Sequence, residues 1–165
     1  MLILIPLVID DETKTALESY GKIFRHEIYR IAGIYHKEKR IFAFPYRLVN
    51  KNITMQCRRI VVEQAVLYYQ TQQSSSNKRL PFISVWTNEA CTLHKPVHRT
   101  DPYRLELSCA DKKRCVLPLS INDKQAKMLQ TGNIIDITIT KQAENWTAGI
   151  RIQTNANNLN EFNKL

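Results

Sequence analysis

The sequence predicts an α+β fold, in which a small antiparallel β-barrel carries a two-helix insertion after its first strand. Two patterns indicate this class. Apolar and polar residues alternate with period two in the last third of the chain, which is typical of half-buried strands. Apolar residues recur at three- and four-residue steps in the first half, which is typical of amphipathic helices. A short β-branched run at the amino terminus adds one isolated strand.

That isolated strand covers residues 2–9, and Pro6 predicts an edge or bulge because proline cannot donate a ladder hydrogen bond. Asp10 is placed to cap a first helix over about 11–38. The apolar stripe of this helix consists of Leu17, Tyr20, Phe24, Ile28, Ile31 and Tyr35.

A second helix is predicted over about 49–72, after a loop marked by Pro45. Its buried stripe consists of Ile53, Cys57, Ile60, Val61 and Tyr68. On this register Lys51, Arg58 and Arg59 face solvent on the opposite side.

The remaining predicted elements are β-structure after a polar linker. Strands are expected over 81–87, 103–109 and 114–119, a short helix or turn over 121–131, and a closing hairpin of 135–140 and 146–153. The first strand can pair only with these later strands, so the two helices form an insertion, and barrel closure would cover the free edges. The predicted divisions are 1–9 for the first strand, 10–78 for the helical insertion and linker, 79–153 for the remaining barrel and 154–165 for a polar tail.

Composition favours a polyanionic partner. The chain has 24 Lys and Arg against 15 Asp and Glu, a net charge of +9, which indicates nucleic acid before membrane. A merely soluble basic protein is the alternative. The four cysteines show no regular framework, and residues 2–9 are too short to span a bilayer and lack a basic leader. We therefore expect a reduced, cytoplasmic protein with free thiols and no membrane association.

No motif of a nucleophilic, phosphate-cradling or zinc-dependent enzyme is present, and the acidic residues are scattered, so we expect no catalytic activity and no cofactor. One set of residues has spacing that resembles a zinc site. It consists of Cys91, His94, His98, Cys109 and Cys115. Without a CxxC pair, ordinary free thiols are the favoured interpretation, and no metal is expected.

Basic residues concentrate in two segments that predict phosphate-binding surfaces. The first contains Arg30, Lys37, Lys39, Arg40, Arg47, Lys51, Arg58 and Arg59. The second contains Lys78, Arg79, Lys95, Arg99, Arg104, Lys112, Lys113 and Arg114. Tyr46 and Trp86 lie among these charges and could stack on bases, although core packing is the favoured interpretation for Trp86.

The layout resembles the amino-terminal half of TnpB, a transposon-encoded RNA-guided nuclease, and of compact type V CRISPR effectors. Residues 2–9 resemble the family's first wedge-domain strand, and 11–40 with 49–72 resemble its recognition helices. The run from Lys112 to Leu119 resembles its hairpin with a basic turn, and the run from Thr140 to Trp146 resembles a segment near the close of its oligonucleotide-binding (OB-like) barrel. The resemblance covers roughly residues 1–153.

This resemblance implies binding of a structured guide RNA and of target DNA, with sequence read mainly by base pairing. In the family a RuvC nuclease domain follows the barrel, whereas residues 154–165 here contain no Asp. A truncated chain, a natural split and a stand-alone binding relic all fit; the split is favoured, with a RuvC-like nuclease supplied in trans. Arg47, Lys51, Arg58 and Arg59 are the expected contacts to a short flanking DNA motif. The alternatives are a stand-alone OB-like protein that binds RNA or single strands, and a phage or mobile-element inhibitor of a protein.

Overall fold

A computed structural model describes residues 1–72, 80, 83–98, 101–110 and 113–153. Within these residues the chain forms three α-helices and seven strands, an α+β arrangement as predicted. The helices are α1 (Asp11–Glu38), α2 (Met55–Gln72) and α3 (Asp123–Thr131). The strands are β1 (Leu2–Leu7), β2 (Ser84–Thr87), β3 (Cys91–His94), β4 (Tyr103–Ser108), β5 (Arg114–Leu119), β6 (Asn133–Gln142) and β7 (Asn145–Gln153).

The strands form two antiparallel sheets, and neither sheet closes into a barrel among the described residues. One sheet has the order β1-β7-β6-β2 and the other has the order β3-β4-β5. The predicted pairing of the first strand with the late strands is confirmed, since β1 pairs along β7. The predicted barrel is not confirmed. After β2 the chain makes a 3₁₀ turn at Asn88–Ala90 and then pairs with β4 in the second sheet.

Strand β1 forms one edge of the four-stranded sheet, and no further strand pairs with its outer side among the described residues. Met1 and Ile152 exchange both backbone hydrogen bonds. Because antiparallel pairs alternate, Leu4 and Pro6 direct their backbone groups away from β7. Pro6 has no N–H to donate, and the Leu4 carbonyl accepts from Gln125 of α3 at 3.4 Å. The edge position predicted from Pro6 is therefore confirmed, and α3 caps part of that edge.

One continuous core joins α1 and α2 to the buried faces of both sheets. Tyr20 of α1 stacks on Trp86 of β2 with ring centroids 5.2 Å apart, and both side chains are fully buried. All six residues predicted for the apolar stripe of α1 are completely buried. Asp10 caps the helix as predicted, accepting from the backbone N–H of Thr13 at 2.7 Å.

The second helix begins later than predicted, at Met55 and not near residue 49. Residues 46–48 form a 3₁₀ turn, and the side chain of Asn50 accepts from the N–H of Asn52 at 2.9 Å. Such local side-chain bonds compete with the helical ladder, which explains the delayed start. The predicted stripe is only partly right, because Ile60 and Tyr68 are half-buried while the neighbouring Val61 and Tyr69 are buried.

The two long helices run in the same direction. In the first half of α1, Tyr20 lies beside Cys57 at the start of α2. Near the end of α1, the ring centroid of Tyr35 lies 6.0 Å from that of Tyr69 near the end of α2. Residues 39–54, the return segment, therefore travel back along α1 before α2 begins. The sequence did not indicate this crossover. No helix among the described residues combines the length and apolarity of a bilayer span.

The later elements follow the prediction with two differences. The closing hairpin is present as β6 and β7, and α3 begins with a capping box in which Asn122 and Gln125 bond each other's backbone. Strand β3 was not predicted. Alternation predicted that Ile135 lies on the apolar face of β6. A bulge between Ile134 and Asp136 shifts the register there, and Ile135 is 40% exposed.

Candidate nucleic-acid interface

The return segment is held against α1 by one buried carboxylate. Glu27 is 3% exposed and accepts two hydrogen bonds from Arg30, at 2.6 and 2.9 Å, and one from the backbone N–H of Asn50 at 2.9 Å. Arg30 also donates to the carbonyl of Leu48 at 3.0 Å and lies over the ring of Phe44. Burial by itself would raise the pKa of Glu27, but these donors outweigh it and hold that pKa below its ordinary value.

Glu27 is a structural residue that the sequence analysis missed. A signal was present, because Glu27 stands three residues after Phe24 and four before Ile31, within the apolar stripe of α1. An acid in such a stripe requires a buried partner. The partner is Arg30, which the sequence analysis assigned to nucleic acid. The Arg30 guanidinium is engaged by Glu27, Leu48 and Phe44, but its side chain stays 39% exposed, so its contact with nucleic acid stays a prediction.

The remaining cations of the return segment and the end of α1 are exposed. We call them the return-segment cations. They are Lys37, Lys39, Arg40, Arg47 and Lys51. Their side-chain nitrogens have no hydrogen-bond or ion-pair partner within the described part of the chain. Unpaired, solvated ammonium and guanidinium groups of this kind are available to replace the counterions of a phosphate backbone.

An apolar cleft of about 580 Å³ is lined by residues 41–46, the stretch between Arg40 and Arg47, together with residues of α1 and α2. It is lined by Tyr35, Ile41, Phe42, Ala43, Phe44, Pro45, Tyr46, Val62 and Val66. Tyr46 is 48% exposed, so part of its ring is free to stack. Aromatic faces next to cations are the usual platform for unpaired bases.

Arg59 of α2 lines a separate cavity of about 550 Å³ and is paired. It donates to Glu63 at 2.7 Å across one helical turn, and both side chains are more than half exposed. The Glu63 contact, with a smaller effect from the nearby Tyr46 phenol, raises the pKa of Arg59. Exposed pairs of this type contribute little stability, so a phosphate could take the place of Glu63 at small cost.

Two candidate nucleic-acid contacts are buried, so the contact predicted for Arg58 is corrected and the favoured core packing of Trp86 is confirmed. Arg58 is 9% exposed and donates to the carbonyls of Ile53 at 3.0 Å and Lys51 at 3.4 Å. These carbonyls lie in the turn before α2, and Arg58 turns inward to donate to them because buried carbonyls need a donor. Trp86 is completely buried and donates from Nε1 to the carbonyl of Ser108 at 2.7 Å, which leaves no face for a base.

The second predicted basic group is less coherent. Lys95 and Arg104 are exposed beside a groove of about 360 Å³ on the outer face of the three-stranded sheet. Arg114 on the same face forms an ion pair with Glu106, which also contacts His94 at 3.2 Å. The exposed Lys113 borders a different cavity. The predictions for Lys78, Arg79, Arg99 and Lys112 lie outside the described residues.

The cysteine and histidine spacing does not assemble a zinc site in the described residues, where no three metal-binding side chains of the His, Cys, Asp and Glu types converge. His94 instead contacts Glu106, and Cys91 contacts the carbonyl of Asn88. Cys109 and Cys115 do meet, with their sulfur atoms 3.0 Å apart.

No protein-family model matches the chain, and no curated protein matches it. The resemblance to RNA-guided nucleases therefore depends on the residues quoted for it alone.

Proposed function

We propose that the chain binds single-stranded or structured RNA through the return segment. The observation that carries this proposal is a set of five exposed, unpartnered cations on a stretch of chain whose residues 41–46, with a half-exposed tyrosine, line an apolar cleft. The cations neutralise phosphates, and Tyr46 stacks on an unpaired base. A net charge of +9 adds long-range attraction for any nucleic acid.

Salt dependence is the first test. If the five return-segment cations each contact one phosphate, the slope of log K against log salt is about −3.5 for a single strand and about −4.5 for a duplex. Fluorescence anisotropy of labelled RNA over a salt series measures that slope. A nearly flat dependence contradicts the proposal and favours a protein partner, as expected of the inhibitor alternative.

A matched pair of variants localises the contact. Arg40→Gln, Arg47→Gln and Lys51→Gln together remove three return-segment cations and lower the net charge from +9 to +6. Lys22→Gln, Lys124→Gln and Lys127→Gln remove the same charge elsewhere, on α1 and α3. In the first variant the slope of log K against log salt should be smaller in magnitude by about 2–3, because each lost phosphate contact lowers that magnitude by about 0.7–0.9. Equal losses in both variants would mean that only net charge matters.

The finer proposal is that this RNA is a guide. On the resemblance to TnpB-like and type V effectors, the chain is the wedge and recognition part of an RNA-guided complex, which also contacts target DNA and works with a RuvC-like nuclease chain in trans. Purification from the native host tests this. A bound RNA of one defined length together with a second protein supports the guide-binding subunit. Heterogeneous RNA without a second protein supports a stand-alone RNA-binding protein.

A further inference from the structure

The hairpin of β4 and β5 brings two thiols together at its turn. Leu107 pairs with Cys115 and Ser108 pairs with Arg114, and Cys109 continues the ladder by donating its N–H to the carbonyl of Lys113 at 2.7 Å. Cys109 and Cys115 are thus diagonal neighbours on one face of the hairpin. Their sulfur atoms lie 3.0 Å apart, in hydrogen-bond contact.

Both thiols are almost completely buried, Cys109 at 4% and Cys115 at 5% exposure. They nevertheless border a cavity of about 630 Å³ between the hairpin and the first turns of α1. Lys113 and Thr13 also line this cavity. This cavity is the side from which a small polar oxidant would approach the thiol pair.

The two thiols differ in acidity. The hydrogen bond from the Cys109 thiol lowers the pKa of Cys115, and the charge of Lys113 contributes in the same direction. Burial and the same contact raise the pKa of Cys109. Cys115 is therefore the better nucleophile of the pair, because the thiolate is the reactive form.

We propose that Cys109 and Cys115 form a redox-active dithiol that hydrogen peroxide converts into an intramolecular disulfide. The Cys115 thiolate attacks one peroxide oxygen and becomes a sulfenic acid, and the other oxygen leaves as water after taking up a proton. The Cys109 sulfur then displaces the sulfenic hydroxyl, which leaves as a second water with the Cys109 proton. The two thiols are oxidised by two electrons in total, and the peroxide is reduced. A thiol reductant reverses the reaction by exchange.

The other two cysteines serve as internal controls. Cys57 is completely buried in the core, and Cys91 contacts the carbonyl of Asn88. Neither lies in a comparable thiol contact among the described residues. The proposal therefore concerns one specific pair, and it does not depend on whether the chain binds RNA.

The experiment treats the reduced, folded full-length protein with hydrogen peroxide and then alkylates the remaining thiols. We expect the thiol count to fall from the four of the sequence to two, with a mass loss of about 2 Da. Trypsin cleaves between the two cysteines at Lys112, Lys113 and Arg114, so a non-reducing digest should join the peptides 105–112 and 115–124. A phosphine reductant should separate them.

Three results would overturn the proposal. The first is four free thiols after treatment, and the second is sulfinic or sulfonic acid at Cys109 and Cys115 without a joined peptide. The third is a link that involves Cys57 or Cys91. Cys115→Ala should abolish the joined peptide, while Cys91→Ala should leave it unchanged. The digest of the unmodified protein decides the matter even if Cys115→Ala folds poorly.

Discussion

Lys39→Gly should separate the stability of the fold from its affinity for RNA. Lys39 ends α1 with φ of 53°, in the left-handed region, and its backbone N–H donates to the carbonyl of His36. A left-handed conformation costs a residue with a Cβ about 1–2 kcal/mol. Glycine removes this cost, but it also raises the conformational entropy of the unfolded chain, which lowers the free energy of unfolding by about 0.4–1 kcal/mol. The net gain in the free energy of unfolding is about 0–1.6 kcal/mol, with a midpoint of about 0.8 kcal/mol, which corresponds to about 2–3 °C in Tm for a chain of this size.

The same substitution removes one return-segment cation. If Lys39 contacts a phosphate, the slope of log K against log salt should lose about 0.7–0.9. Ala143→Gly is the matched control, since Ala143 has φ of 51° in the exposed turn between β6 and β7 and carries no charge. It should raise Tm by a similar amount and leave RNA binding unchanged.

Thermal melting followed by circular dichroism and RNA anisotropy at several salt concentrations measure the two quantities for both variants. A Lys39→Gly protein that melts higher and keeps the wild-type salt slope would show that Lys39 contacts no phosphate. A variant that melts lower than wild type would refute the backbone argument itself. It would mean that the Lys39 side chain stabilises the end of α1.

Three further predictions concern residues around the return segment. Arg58→Ala should lower the free energy of unfolding by about 2–3 kcal/mol, because two backbone carbonyls lose a charged donor, whereas Lys51→Ala should change it by less than about 0.5 kcal/mol. Glu27→Gln should cost about 2–4 kcal/mol at neutral pH. The pKa of Glu27 is lower in the folded than in the unfolded chain, so its contribution is present above the ordinary value of 4.5 and is lost as the pH falls through the folded pKa. Trp86→Phe should lower stability without changing the RNA affinity of the folded protein, whereas Tyr46→Ala should leave Tm unchanged and weaken RNA binding by about 1–3 kcal/mol.

Urea denaturation at several pH values measures the first two effects, and melting with anisotropy measures the third. An Arg58→Ala protein as stable as wild type would show that its hydrogen bonds are not needed to start α2. A stability difference between wild type and Glu27→Gln that stays constant down to acidic pH would contradict the proposed carboxylate anchor. Normal RNA binding by Tyr46→Ala would remove the cleft from the interface.

Local patterns were sufficient for the elements whose neighbours are close in sequence. The three- and four-residue stripe predicted α1 with its correct ends, because one face of that helix is buried along its whole length and Asp10 caps it locally. Period-two alternation predicted β6 and β7, and Pro6 placed β1 at an edge. The exposure of most cations on the return segment was also foreseeable, since single lysines and arginines are seldom buried.

Contacts between distant residues decided the rest. Arg58 fits a solvent-facing position by helical periodicity, yet it turns inward because buried carbonyls in the turn before α2 require a donor. Glu27 and Arg30 bind each other because the return segment closes over them, and Trp86 is buried because Tyr20 of α1 stacks on it. The two sheets stay separate because the chain turns away after β2, which period-two alternation does not encode. Sequence alone thus determined most of the helices and strands, except β3 and the start of α2. The tertiary structure decided which charges remain free to bind a partner, since a buried polar group takes whatever partner the fold places beside it.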